Sequence, residues 1–320
     1  MALVRFVFGS IVGALALAGG AWAAPALSGL DWAFPGKGAA TASASHADPW
    51  ASVAGTPVRY RKSVIEEHSA AIDWRPGEHG PLPPVVAKAK PGAYPCGYCH
   101  LPNGQGRPEN ANLAGLPADY IRRQVAAFAA GERRGARPDW GPTALMIQLA
   151  KTTSASDLAE AAAYFSRQSF HSRVKVVEAE AAPAVVPRGF VYARAAGRPS
   201  PLGRSQIVEG PRDMDQFELR DPHTAYVAYV PRGAVARGAA LARSGGPAGQ
   251  GCAACHGAGL GGGVGPPLAG RSSTYLFRQL LAFKSGGRRG SDAAPMITVA
   301  AGLTPEQMVD LAAYAASRTP

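Results

Sequence analysis

The feature that most constrains this chain is a five-residue motif that occurs twice. Residues 96–100 read Cys-Gly-Tyr-Cys-His, and residues 252–256 read Cys-Ala-Ala-Cys-His. C-x-x-C-H is the pattern of covalent c-type haem attachment. Two thiols three positions apart on a helical turn reach the vinyl groups on one porphyrin edge, and the adjacent imidazole faces the iron. The motifs predict two haem c groups with their iron, attached through Cys96, Cys99, Cys252 and Cys255.

Other uses of paired cysteines fit this chain less well. The CxxC pairs of a zinc ribbon usually lie about 15–20 residues apart, whereas Cys99 and Cys252 are separated by 153 positions. A thioredoxin-like CxxC needs a βαβ setting, which neither motif has. Neither alternative requires a histidine after both second cysteines.

The N-terminus predicts export. Residues 1–23 contain Arg5, an apolar run over 6–18 and the small-x-small sequence Ala21-Trp22-Ala23. This is typical of a secretory signal peptide cleaved after Ala23; the alternative is an uncleaved anchor. Because c-type haem is attached outside the bacterial cytoplasmic membrane, we expect a periplasmic protein.

The formal net charge is +11. A basic surface suits an acidic redox partner or an anionic membrane face. The charge therefore also allows peripheral association with a membrane. We expect no nucleic-acid partner, because the chain is exported and has no nucleic-acid motif.

An internal repeat follows each motif. Leu113-Ala114-Gly115 recurs as Leu268-Ala269-Gly270, an offset of 155, and such self-similarity predicts one structural unit built twice. The further matches at this offset pair Tyr120, Arg123, Gln124, Phe128, Gly131, Arg133, Arg134 and Gly135 with Tyr275, Arg278, Gln279, Phe283, Gly286, Arg288, Arg289 and Gly290. We predict a helix that ends at the first glycine of each set, and a last helix over 154–167 and 304–317.

The remaining segments have weaker signals. Residues 24–58 are rich in Ala, Gly, Ser and Pro, which predicts a tether. Ser63–Glu66 indicates a capping box that opens a short helix, and residues 84–90 allow another. A helix over 234–243 leads to the second motif. Between the units, β-favouring runs lie at 174–177, 190–193, 206–209, 217–219 and 226–230.

Two methionines are the predicted second axial ligands. Met146 and Met296 differ by 150, the offset of the last helices, and are expected in the loop between the two long helices of each unit. The predicted pairs are His100 with Met146 and His256 with Met296. Met308 matches Leu158, so we interpret it as a core residue, and Met214 lies between the units. The alternative is that one Met only packs and that His79 or His171 ligates; His46, His68 and His223 have no ligand spacing.

A haem histidine usually donates its other ring N–H to a fixed acceptor. We predict the carbonyl of Pro267 for the second unit, at the position where the first unit has Asn112.

The order CxxCH, Leu-Ala-Gly, Tyr-Gln-Phe-Gly-Arg-Arg, Met and a last helix with Ala-Tyr resembles the class I cytochrome c domain in its tandem two-haem form. The resemblance implies a mainly α fold: two tandem class I cytochrome c domains, a long partly β-stranded connector and an N-terminal extension. The predicted boundaries are 1–23 for the signal peptide, 24–83 for the extension, 84–173 and 231–320 for the two domains, and 174–230 for the connector.

The resemblance implies electron transfer without catalysis. Single electrons would pass from a donor dehydrogenase or membrane complex to an acceptor oxidase or reductase. One alternative is the electron-accepting cytochrome subunit of a periplasmic dehydrogenase complex, which the extension and connector would serve. A two-haem peroxidase is the other alternative, and it needs one haem open to peroxide.

The arginine pairs 133–134 and 288–289 allow three interpretations. They pair with haem propionates, they face a partner as docking charge, or they are a solvated surface run.

Overall fold

The computed structural model describes residues 28–36, 38, 48–90 and 93–320. The predicted signal peptide, residues 1–23, lies outside this part of the chain, as does His46. Helices are the commonest regular structure in the described chain, and short strands lie before the first helical unit and between the two helical units. No helix in these ranges is both long enough and apolar enough to cross a membrane.

The described part of the extension is packed rather than forming a tether. Strands β1 (Trp50–Ser52) and β2 (Arg59–Arg61) pair antiparallel and are followed by helix α1 (Lys62–Glu67). Their apolar residues surround Trp74, which is fully buried. The tether prediction is wrong over this part, because a few large residues within a small-residue background are enough to build a core.

Helix α1 does not begin with the predicted capping box. Arg61 occupies the N-cap position and makes no side-chain cap. The Ser63 hydroxyl lies inside the helix and donates to Asp48 Oδ2 at 2.8 Å. A residue 15 positions upstream therefore competes with the local cap, which sequence spacing does not reveal.

The first unit is built from five helices. They are α2 (Pro84–Ala87), α3 (Cys96–His100), α4 (Ala118–Ala129), α5 (Gly141–Thr152) and α6 (Ala155–Ser166). The Ser154 hydroxyl accepts a hydrogen bond from Asp157 N and caps α6, as predicted. Met146 lies within α5 and not in a loop: Pro142 stands in the first turn, where a missing N–H costs nothing.

The segment between the units contains most of the strands. They are β3 (Val174–Ala179), β4 (Ala181–Ala182), β5 (Val185–Arg188), β6 (Val191–Arg194), β7 (Ser200–Pro201), β8 (Val208–Pro211) and, after helix α7 (Met214–Glu218), β9 (Tyr226–Pro231). In the three-stranded sheet β9 is central, parallel to β3 and antiparallel to β8. The predicted strand at 217–219 is wrong, because the Asp213 carboxylate accepts from two N–H groups and starts α7.

The second unit repeats the helical order of the first. It contains α8 (Ala234–Ser244), α9 (Ala253–His256), α10 (Ser273–Lys284), α11 (Ala294–Ala301) and α12 (Pro305–Ala316). The Thr304–Gln307 capping box is present as predicted. Met296 lies in α11, so its predicted loop position is wrong for the same reason as in the first unit, with Pro295 in the first turn.

Helices α8 and α12 cross at close range in the second unit. A Cβ on Gly238 would lie 2.0 Å from the carbonyl oxygen of Asp310, so only glycine allows this approach. The carboxylate of Asp310 is buried and receives two hydrogen bonds from Arg237, at 2.8 and 2.9 Å. Strand β9 adds Ala228 and Val230 to the same core.

Candidate haem sites

The backbone after the two motifs follows the same path. Gly106 N donates to the carbonyl of His100 at 2.9 Å, and Gly262 N donates to that of His256 at 2.7 Å. The residue after each histidine has a positive φ, 65° at Leu101 and 77° at Gly257. The repeat seen in the sequence is therefore also a repeat of backbone hydrogen bonds, and it holds each imidazole in the same local frame.

Each histidine is fixed by one backbone carbonyl. The Nδ1 atom of His100 donates to the carbonyl of Ala111, and that of His256 to the carbonyl of Pro266, each at 2.8 Å. The prediction of Pro267 is wrong by one residue, because the carbonyl of Pro267 accepts instead from Arg271 Nε at 2.7 Å. With Nδ1 engaged, Nε2 is left to face a metal.

Burial sets the protonation of these groups. Burial lowers the pKa of His100 and of His256, which favours the neutral imidazole that binds iron. Burial raises the pKa of Cys96 to about 12 and also raises that of Cys99. A redox dithiol needs a lowered thiol pKa, so this pair is not built as one.

A cavity of about 1410 Å³ adjoins the first motif. Ligand pockets are commonly roughly 300–1,000 Å³, so this space admits a group of porphyrin size. Among the residues that line it are Cys96, Cys99, His100 and Met146. The structure thus brings all four predicted residues of the first site to one cavity.

The other candidate ligands have different surroundings. Met296 is partly buried against Phe283, Ala293 and Ala300, and its role as a ligand stays a prediction. Met308 is fully buried in the core of the second unit, as expected of a core residue. Met214 packs in the connector.

Of the histidines offered as alternative ligands, neither lines the cavity. His79 Nε2 lies 3.1 Å from Asp73 Oδ1, and His171 is exposed. His68, which has no ligand spacing in the sequence, does line the cavity, and its ring lies 4.8 Å from that of Tyr98. His223 bonds to Glu78.

Comparison with known proteins identifies the family of this chain. The Cytochrome c family model matches residues 235–318. Over 241 residues the chain is 30% identical to the thiosulfate dehydrogenase electron acceptor of Thiomonas intermedia, an alignment that spans 74% of this chain and 84% of the relative. The chain belongs to the cytochrome c family.

Two solved structures are also similar to this cytochrome. Thiosulfate dehydrogenase of Marichromatium purpuratum has 27% identity and a TM-score of 0.46, with 71% of this chain and 37% of that chain aligned. Cytochrome c4 of Acidithiobacillus ferrooxidans has 23% identity and a TM-score of 0.43, with 69% of this chain and 98% of that chain aligned. This chain thus spans about a third of the first of these.

Covalently bound haem c is the cofactor of this cytochrome, and electron transfer is its function. The residues present fit the group: the first cavity offers two thiols, an imidazole and a thioether sulfur around a space of sufficient size. The second motif offers the same thiols and imidazole within a matching loop.

The two arginine pairs divide between the interior and the surface. Arg133 and Arg288 are 8% exposed, whereas Arg134 and Arg289 are exposed. The interpretation as a solvated run is therefore wrong for the first member of each pair. Charge reversal at Arg288 would disrupt the interior, so Arg289 alone of that pair is available for docking.

Arg133 and Arg288 lie at a symmetric contact between the units. Arg133 donates to Gln124 Oε1 at 2.8 Å and to Gln279 Oε1 at 3.0 Å. Arg288 donates to the same two oxygens, at 2.7 and 3.0 Å. Within the described residues no carboxylate lies within 4 Å of either guanidinium. The contact therefore carries two positive charges. It lies next to the first cavity, because Arg288 and Gln279 are among the residues that line that cavity.

Arg271 joins the two histidine loops. Besides the carbonyl of Pro267 it donates to that of Asn112, at 3.0 Å. Each of these carbonyls directly follows the one that holds a motif histidine. The aligned position in the first unit is Leu116. An arginine in one repeat where the other has a leucine is the sequence signal by which Arg271 could have been found.

Sequence reasoning also missed residues that reach the first cavity from other segments. Arg220 from the connector and Lys62 from the extension both line it. Their separation along the chain hides them from any motif, and the repeat contains no copy of either.

Proposed function

We propose that this cytochrome carries two haem c groups and accepts single electrons from a partner dehydrogenase in the periplasm. The observation that carries the proposal is the pair of motif histidines, His100 partly buried and His256 buried, each held at Nδ1 by a carbonyl of an equivalent loop. The signal peptide that the sequence predicts over residues 1–23 supports the location.

The chain's own residues would set up each site. Cys96 and Cys99, and in the second unit Cys252 and Cys255, would anchor the haem through thioether bonds. The haem iron supplies reversible one-electron exchange. His100 with Met146, and His256 with Met296, would be the protein ligands of the iron, and thioether sulfur favours the reduced iron.

The name of the relative from Thiomonas intermedia indicates a class of donor. Its alignment covers most of both chains, so we propose that the donor is a dehydrogenase that oxidises thiosulfate. The chain would then be the electron-accepting partner of that enzyme, and an oxidase or reductase would take the electrons onward. The basic surface, with a formal net charge of +11, supports docking on an acidic partner.

Two measurements test this proposal. A redox titration of the purified protein followed by visible spectroscopy should show two haems by absorbance and the spectrum of His–Met ligation at both. Mixing the oxidised protein with a thiosulfate dehydrogenase and thiosulfate should reduce it, and omission of either component should prevent reduction.

Contrary outcomes are equally clear. One haem per chain would contradict the haem count, and reduction by other dehydrogenases but not by this one would contradict the donor class. The absence of catalysis stays a prediction, and a high-spin haem that reacts with peroxide would favour the peroxidase alternative. Retention in the cytoplasmic fraction of the producing cells would contradict the location.

A further inference from the structure

The connector places a positive charge against the first haem-binding motif. Arg220 follows helix α7 and donates from Nη1 to the carbonyl oxygen of Tyr98 at 2.8 Å. Its guanidinium carbon lies 3.4 Å from the centroid of the Tyr98 ring. Because Tyr98 is the residue between the two cysteines of the motif that precedes Cys99, these contacts fix the guanidinium on helix α3 itself.

The backbone of Arg220 indicates that this position is imposed by its contacts. Its φ is 60°, in the left-handed region that side chains other than glycine rarely adopt. Such a conformation costs on the order of 1 kcal/mol. Stacking on Tyr98, which is only 3% exposed, and a bond to a carbonyl near the C-terminus of a helix offset that cost.

The charge of Arg220 has no close counter-ion. Among the residues that the structure describes, no carboxylate lies within 4 Å of its guanidinium, whereas the neighbouring Arg107 pairs with Glu109 at 3.0 Å. Burial lowers the pKa of Arg220 to about 10, so it is still protonated at neutral pH. Arg220 also lines the cavity that contains Cys99, His100 and Met146.

The second motif has no equivalent of this arrangement in the described chain. The position that corresponds to Tyr98 is Ala254, which offers no ring and is exposed. Among the described residues, no side chain donates a hydrogen bond to the carbonyl of Ala254. The connector therefore acts on one site and not on the other.

We propose that Arg220 raises the reduction potential of the first haem relative to the second. Reduction adds one negative charge at the iron, and a fixed positive charge nearby stabilises the product of that step. A single electron shared between the haems would then reside in the first unit more often than it would without the charge of Arg220. This inference rests on the proposed function, because it requires two haems.

The test is a redox titration of the purified, haem-loaded protein and of three variants. Arg220→Gln should lower one of the two midpoint potentials so that the ratio of oxidised to reduced haem rises about tenfold at fixed potential, about 59 mV. The other midpoint should not move. Arg220→Lys keeps the charge and should keep both midpoints, and Arg212→Gln removes an exposed charge from the same connector and should change neither.

Several outcomes would overturn the proposal. Equal shifts of both midpoints, no shift in Arg220→Gln, or the same shift in Arg212→Gln would each show that Arg220 does not act on one site. If Arg220→Gln fails to load haem, Arg220→Leu replaces it, because leucine removes the charge and keeps an apolar side chain against the Tyr98 ring. That variant should lower one midpoint and leave the other, and no change would overturn the proposal. A single haem in the unmodified protein would instead refute the proposed function.

Discussion

The two units hold their haem motifs in similar loops, but different elements pack around each motif. In the second unit an 11-residue helix, α8, crosses α12 and covers the buried carboxylate of Asp310. In the first unit the helix before the motif, α2, has four residues. The position that matches Asp310 is Glu160, which is exposed.

Other segments supply the missing wall of the first unit. The extension contributes the cluster around Trp74, whose indole N–H donates to the carbonyl of Leu219 in the connector at 2.6 Å. Arg75 of the extension pairs with the buried Asp221 at 3.2 Å. The repeat therefore conserves what holds the iron-facing histidine, whereas the surroundings of each haem have become specific to its unit.

The largest expected effect comes from removing one attachment motif at a time. Replacing both cysteines of a motif by serine, at 96 and 99 or at 252 and 255, should leave one covalent haem per chain, because each motif acts only within its own loop. Intact mass and the absorbance ratio of haem to protein measure this. Loss of both haems in either double variant would show that the sites do not mature independently.

A smaller effect is expected where α8 meets α12. Arg237→Met leaves the buried Asp310 with Arg204 alone, 3.7 Å away. Breaking a buried ion pair costs about 3–5 kcal/mol, and we expect about 3 kcal/mol because Arg204 remains. Denaturant unfolding measures this loss.

Two matched variants sharpen that result. Arg243→Met changes an exposed arginine of the same helix, and Glu160→Gln changes the exposed counterpart in the first unit. Each should change the free energy of unfolding by less than about 0.5 kcal/mol. An equal loss from Glu160→Gln would mean that the two units are closed in the same way.

Substitution of either glutamine at the contact between the units should destabilise the protein by the same amount. Gln124→Leu and Gln279→Leu each remove an oxygen that accepts from both Arg133 and Arg288, and each should lower the free energy of unfolding by about 1–2 kcal/mol. The double variant should lose more than the sum, because only then do both arginines lose both acceptors. Unequal single losses would show that one unit dominates the contact.

The smallest expected effect is the pH-dependent contribution of His79, in the extension, to the free energy of unfolding. The hydrogen bond to Asp73 raises the pKa of His79, and burial opposes it. A raised pKa in the folded state stabilises the protein below the unfolded value of about 6.5, and the contribution disappears as pH rises through the folded value. His79→Gln should therefore cost up to about 1 kcal/mol near pH 5.5 and nothing near pH 9. A pH-independent difference would indicate a packing effect instead.

Much of the haem-binding frame could be predicted from the sequence, because it depends on local spacing. The helices that end at Gly131 and Gly286, with φ of 72° and 71°, follow from the aligned repeats. The Thr304 cap follows from its residue types alone. The carbonyl that holds His256 was missed by one position, because spacing does not define which carbonyl of the Pro266-Pro267 turn faces the ring.

The walls of the first site could not be predicted in this way. Arg220 meets Tyr98 across 122 positions, and Trp74 meets Leu219 across 145. Such contacts depend on how the connector returns to the first unit, and β-favouring runs contain no information about that path. The strand predicted at 217–219 is wrong for a different, local reason, because the Asp213 cap starts a helix that runs to Glu218.

The contact made by Arg133, Arg288 and the two glutamines also bears on how this chain can be divided. A fragment that ended within the connector would expose a guanidinium and an amide that now bond to the other half. Each half would thus expose to water a charged face that is buried in the intact chain. The two halves therefore depend on each other, and we do not expect either half to be stable as a single-haem carrier when it is produced alone.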